Sequence, residues 1–269
     1  ENIEKDVPYI REIEPTDKIP LVKEALNPSE QLSTSLDKGN LNVVLKEQGS
    51  VKKTTIIPTF DDGPLGRELW QKANNKCPTE DEWLADLKTT LEFLDTKKIK
   101  AVFYVTGWGD VELDSTCETR TGAGLKKIFQ DGVNMIKAKG HAIGLHAFKH
   151  SIHESIFRGE GEITADINKL VEQLPEGTYS GIWRCPFDRH RNTCDSIAKS
   201  KGWVYHAWDV DSWDWVCNSD GLPGAPACWS DANWINFVKG KLNENLKILR
   251  TFGQKESADI TFHITDKSV

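Results

Sequence analysis

The chain has 269 residues, enough for one large α/β domain with an appendage and a substantial core of its own. A formal net charge of -7, without any Lys/Arg-rich run, argues against nucleic acid or an anionic membrane surface as the main partner and favours neutral substrates. No apolar run approaches the ~18 residues of a transmembrane helix, so no membrane span is expected.

Residues 1 to about 48 are charged and broken by Pro8, Pro15, Pro20 and Pro28, and read as an N-terminal arm that ends in a strand at Leu41 to Lys46. The chain starts at Glu1 and its single methionine is Met135, which points to the removal of an earlier segment. Residues 49–269 form the main domain. There, strands are predicted at Thr54–Phe60, Ala101–Val105, His141–Leu145, Tyr179–Arg184, Val204–Val210 and Asp259–His263. Helices are predicted between them. Their apolar faces are Trp83, Leu84, Leu87, Leu91 and Leu94; Leu125, Ile128, Phe129, Val133 and Ile136; and Ile163, Ile167, Leu170 and Leu174. Further helices are predicted near Thr193–Ser200 and Trp234–Phe252. Such alternation implies a parallel sheet covered by helices. The apolar runs end at Asp61-Asp62, Gly107-Trp108, His146, Arg184, Asp211 and His263, so polar residues gather at the C-terminal strand ends, where a (β/α) barrel builds its site. A distorted or incomplete (β/α) barrel of about seven strands is the expected fold.

Six cysteines without a C-x-x-C pair favour disulfides, with Cys185–Cys194 and Cys217–Cys228 as local pairs and Cys77 left for Cys117. Disulfides favour a secreted, periplasmic or cell-wall location. Of ten tryptophans, Trp70, Trp108, Trp213, Trp215 and Trp229 lie in polar, turn-like stretches, which suggests exposed rings for stacking on sugars.

A lone Asp-Asp-Gly is an ordinary turn. Two adjacent carboxylates at a strand end nevertheless need a metal, an Arg or a shared proton to relieve them. His146 and His150, four residues apart, join one of those carboxylates in a two-His, one-Asp set suited to a catalytic Zn²⁺ or a non-haem Fe²⁺.

Thr59-Phe60-Asp61-Asp62-Gly63, His146-Ala147-Phe148-Lys149-His150, Arg184-Cys185-Pro186-Phe187, Asp211-Ser212-Trp213-Asp214-Trp215 and Thr261-Phe262-His263 together resemble the five ordered motifs of the NodB-type polysaccharide deacetylases, carbohydrate esterase family four. The resemblance implies Asp61 as general base, Asp62, His146 and His150 as metal ligands, and Arg184 as the residue that orients the base. It further implies an oxyanion contact from the backbone N–H of Phe187, Asp211 as the partner of a catalytic acid His263, and Trp215 as a wall of the acetyl pocket. One divalent ion is implied, zinc first, with cobalt, nickel or manganese as alternatives. The implied partner is an N-acetylated polysaccharide, with peptidoglycan placed ahead of chitin; the oligomeric state is left open by the sequence, with a monomer favoured. Two departures stand out: Ala147 lacks the usual hydroxyl after the first His, and Thr261 occupies a position that is usually Leu. The sequence ends six residues after His263, where relatives commonly continue into a further helix. The insertions at Leu65–Glu82, Gly109–Gly122 and Asn218–Ser230 are expected to line the substrate groove. An O-deacetylase of acetylxylan and a non-catalytic glycan-binding module on the same scaffold are the alternatives. An iron oxygenase is disfavoured because it leaves Asp61, Arg184 and Asp211 without roles.

Overall fold

The structure is a computed structural model that describes residues 33–37, 40–47, 50–66, 77–155, 157–214, 236–245 and 257–264. Its strands are β1 Ser33–Asp37, β2 Asn40–Glu47, β3 Ser50–Asp61, β4 Val102–Thr106, β5 Ala142–Ala147, β6 Ile182–Trp183, β7 Val204–Tyr205, β8 Val210–Asp211 and β9 Ser257–His263. The helices are α1 Glu80–Trp83, α2 Ala85–Lys97, α3 Gly122–Ala138, α4 Glu160–Gln173 and α5 Arg191–Ser200, and residues 236–245 are also helical.

Strand β3 is the hub. The antiparallel strand β2 pairs with its first half and the parallel strand β4 with its second, both on one edge, while β9 runs parallel along the other edge. From β4 the sheet continues in parallel through β5 and β6 to β7, and β8 pairs in parallel with β9. Seven parallel strands therefore curl into a distorted (β/α) barrel, and β1 and β2 add an antiparallel hairpin. Among the described residues, no pairing joins β7 to β8. The single strand predicted over Val204–Val210 is two strands for this reason. His206 N–H closes the β7 ladder on the Trp183 carbonyl at 2.8 Å, and the chain then crosses to β9, pairing Val210 with Ile260.

The helices cover the sheet through the faces that the periodicity predicts. Helix α3 buries Leu125, Ile128, Phe129, Val133 and Ile136, and its first turn is capped by Thr121, whose hydroxyl accepts the Gly124 N–H at 2.9 Å. Gly132 lies on that face against Pro64, where an added Cβ would meet the proline Cβ at 2.6 Å. This close approach seats the turn after Asp62 on the main core. Helix α1 begins with a capping box between Thr79 and Glu82. The main core joins Phe60, Phe103, Val105, Ile143, Leu145 and Trp183 from the strands to the helix faces. Trp108 belongs to it as well. Its ring is buried edge-on to Phe129 and Phe148, which corrects the expectation of an exposed sugar platform there. Its polar sequence neighbours misled because the indole turns inward over α3. Trp213 is half-buried, whereas Trp70, Trp215 and Trp229 lie outside the described residues. Cys77–Cys117 and Cys185–Cys194 are disulfides as expected, and Cys217 and Cys228 lie outside the described residues.

Candidate active site

The register of β3 against β9 sets Asp61 opposite His263, so a carboxylate and an imidazole stand on neighbouring strand ends. Side chains alternate along both strands. Phe60 and Phe262 stack with ring centroids 5.7 Å apart, which leaves Thr59, Asp61, Thr261 and His263 to the opposite face.

Asp62 leaves the strand with φ 67°, in the left-handed region that Asp tolerates better than branched residues. Behind it, Gly63 passes Ile264 so closely that a Cβ would lie 2.5 Å from the isoleucine Cδ1. The turn brings Asp62 Oδ1 to 3.6 Å from His146 Nε2 and 3.3 Å from His150 Nε2. His146 closes β5, and its Nδ1 lies 2.7 Å from the Arg184 carbonyl. A carbonyl only accepts, so the proton sits on Nδ1 and the Nε2 lone pair faces Asp62. Burial lowers the His146 pKa against the opposing pull of Asp61 and Asp62, so its ring is neutral, the form that binds metals. One ligating atom from each of Asp62, His146 and His150 lies within 4.8 Å of the others, and all three residues are buried. Two imidazoles and a carboxylate at that spacing suit a divalent transition ion.

Arg184, directly after β6, is fully buried. Its Nη1 donates to Asp61 Oδ1 at 2.8 Å, to Thr59 Oγ1 at 2.8 Å and to Thr261 Oγ1 at 2.9 Å. Its guanidinium carbon lies 4.0 Å from the centroid of the Tyr104 ring. Position 261 therefore carries a hydroxyl because the arginine uses it. The Asp61 carboxylate is held in one direction by a cation that is itself held on three sides.

His263 Nδ1 lies 2.6 Å from Asp214 Oδ1, and its backbone N–H donates to Asp214 Oδ2 at 2.7 Å. Burial works against the imidazolium, but Asp214, helped by Asp62 and Asp61, outweighs it and holds the pKa up at about 9. The expected partner, Asp211, instead accepts the Trp213 N–H at 2.8 Å, and its carbonyl takes an N–H from Asn245 at 2.9 Å. The exchange follows from the turn after β8: Trp213 adopts φ 62°, which swings the next residue back over β9. Asp211 and Asp214 share one motif, so the spacing alone could not separate them.

Phe187 has φ 57°, unusual for an aromatic residue, and its ring meets the edge of His150 with centroids 4.4 Å apart. This strained turn faces the metal-ligand set. Trp215 lies outside the described residues. Ala147 is fully buried, and the loop after it is held from another direction by Asp166 of α4, whose carboxylate accepts the N–H groups of Phe148 and Lys149 at 2.9 Å each. Asp166 and Tyr104 carry no local sequence signal, since each meets the site only across the fold.

Residues 48–206 match the sequence profile described as polysaccharide deacetylase. No curated protein sequence matches the chain. Solved structures with a similar chain path include the catalytic domain of a peptidoglycan N-acetylglucosamine deacetylase from Eubacterium rectale, with 19% identity, a TM-score of 0.46, and coverage of 79% of this chain and 78% of that one. A chitin deacetylase from Colletotrichum lindemuthianum has 15% identity, a TM-score of 0.48, and coverage of 79% and 74%. A pseudoenzyme of carbohydrate esterase family four from Bacillus anthracis has 14% identity, a TM-score of 0.48, and coverage of 87% and 79%.

Proposed function

The chain belongs to the NodB-type polysaccharide deacetylases, carbohydrate esterase family four, and on that premise we propose that it is a metal-dependent N-deacetylase acting on N-acetylglucosamine units of a polysaccharide, with peptidoglycan tested before chitin. The observation that carries this reading is the adjacency of two differently controlled groups. Asp61, locked by Arg184, stands in register with His263, locked by Asp214, beside the Asp62, His146 and His150 ligand set.

Amide hydrolysis needs a base to take a proton from the attacking water and an acid to give one to the departing nitrogen. Asp61 is the base: its carboxylate is buried and aimed, and Arg184 keeps it from swinging toward the ligand set. His263 is the acid, because Asp214 keeps the imidazole charged at neutral pH and, by taking Nδ1–H, leaves Nε2–H to be donated. Asp62, His146 and His150 would hold the ion, with zinc the first candidate. When bound, a divalent ion supplies Lewis acidity, which makes a water molecule more acidic and polarises a carbonyl. The backbone N–H of Phe187, presented by its left-handed turn beside His150, is assigned to the developing oxyanion. Trp215 is assigned to the acetyl pocket, and Asp211 is given the work of fixing the turn that delivers Asp214.

Metal analysis combined with acetate release from peptidoglycan, chitooligosaccharides and acetylxylan tests the proposal. Acetate from an N-acetylated polymer, lost on chelation and restored by zinc, is the expected result. Release from acetylxylan alone would make the protein an O-deacetylase. Sugar binding without any release, unchanged in Asp61→Asn, would make it a binding module. The disulfides fit an oxidising location outside the cytoplasm, where such polymers lie.

A further inference from the structure

Behind the loop that carries Phe187 lies a second group of ligating side chains that deacetylation leaves unused. His153, Cys185 and Cys194 are fully buried, and one ligating atom from each lies within 4.8 Å of the other two. His153 Nε2 lies 3.4 Å from Asp166 Oδ2, and its Nδ1 lies 3.5 Å from Cys185 Sγ. The Asp166 carboxylate already receives two backbone N–H groups as an acceptor, so it keeps the proton on Nε2 and turns the Nδ1 lone pair toward sulfur. A disulfide sulfur has no hydrogen to give that lone pair. A buried acceptor facing such a sulfur is costly, whereas a metal ion in the same place is satisfied by both. A carboxylate that fixes a histidine from behind is also the usual support for a metal-binding imidazole. His190 adjoins the group: its ring centroid is 6.1 Å from that of His153, and its buried Nε2 has no hydrogen-bond partner among the described residues.

We infer that Cys185, Cys194 and His153 form a second site for a thiophilic divalent ion such as zinc, which opens when the Cys185–Cys194 disulfide is reduced. The balance is simple. A phosphine reductant and one water convert the disulfide to two thiols and the phosphine to its oxide. The ion then binds both sulfurs as thiolates, with release of two protons. This site shares no ligand with Asp62, His146 and His150. It joins the 3₁₀ turn His150–His153, the segment after β6 and helix α5, so the ion would tie the turn that carries His150 to the segment that carries Arg184 and Phe187, whereas the disulfide ties only that segment to α5.

The test uses the full chain, oxidised or reduced with a phosphine, titrated with Co²⁺ and read by sulfur-to-cobalt charge-transfer absorption and by metal bound per chain. Reduced wild type is expected to show the absorption and to bind one ion more than the oxidised protein. Cys194→Ser, reduced with its other cysteines intact, should lose both, while Asp62→Ala should keep the absorption. An absent band in reduced wild type, or an undiminished band in Cys194→Ser, would overturn the inference. If the serine variant does not fold, His153→Ala, which keeps every cysteine, is expected to weaken and shift the band, and an unchanged band there would overturn the inference. Because the band reports sulfur ligation only, failure of the Asp62, His146 and His150 reading would leave it unchanged.

Discussion

Two of the three histidines at the site, His146 and His263, are the same chemical group driven in opposite directions. His146 sits deep on β5, its Nδ1 spent on a carbonyl, and burial lowers its pKa and keeps it neutral. His263 sits on β9 with its Nδ1 on a carboxylate, and there the charge is held up to about 9 despite burial. What separates them most is the partner of Nδ1, since both feel Asp61 and Asp62, although His263 is also the less deeply buried of the two. A neutral carbonyl leaves desolvation in control, whereas a carboxylate in contact overrides it. The ligand side of the barrel is thus prepared for a cation, and the acid side already carries a proton.

The strongest test of that division separates metal loading from turnover. Asp62→Ala or His146→Ala should abolish both bound metal and acetate release. Asp61→Asn should keep the metal and lose about 10²–10⁴-fold in rate, as is typical for a general base. Metal stoichiometry and initial rates measured together decide it, and full activity in Asp61→Asn would sink the base assignment.

Arg184→Met should destabilise the fold by about 3–5 kcal/mol, because it leaves the Asp61 carboxylate buried without its counter-charge. Denaturant unfolding at neutral pH measures this. Recovery of most of that loss in the double variant Arg184→Met with Asp61→Asn would trace it to the stranded charge.

The acid side is broken more gently through pH. The alkaline limb of the rate profile should lie well above the ordinary imidazole value, toward 9, and Asp214→Asn should move it down by about one to three pH units. Since the folded pKa of His263 is raised above its unfolded value of 6.5, its stabilising contribution is complete below about 6.5 and is lost as pH rises through about 9. Thermal unfolding from pH 6 to 10 should show that decline in the wild type and a flatter profile in Asp214→Asn. Asp211→Asn should leave the limb in place.

The smallest expected effect belongs to Thr261→Val. It removes one of three acceptors on Arg184 Nη1, for about 1 kcal/mol of stability and a fall in melting temperature of roughly 2–4 °C. Replacement by the larger Leu should cost more here, since Thr59 and Asp61 crowd the same nitrogen.

The amino-acid sequence by itself determined the alternation of strands and helices, the faces that α2, α3 and α4 bury, and the sorting of Asp61, Asp62, His146, Arg184 and His263 to strand ends. These are periodic or local signals, set by side-chain spacing and by where an apolar run stops. Only the tertiary structure decided which carboxylate serves His263, because a left-handed residue at Trp213 swaps Asp211 for Asp214 across a turn that the motif does not encode. It also turned Trp108 into core, gave the Thr261 hydroxyl to a buried arginine, and set Asp166 behind both the His146 loop and the Cys185–His153 pair. Each of those contacts joins residues far apart in the chain, so each depends on barrel register and helix placement, which no short stretch of sequence contains.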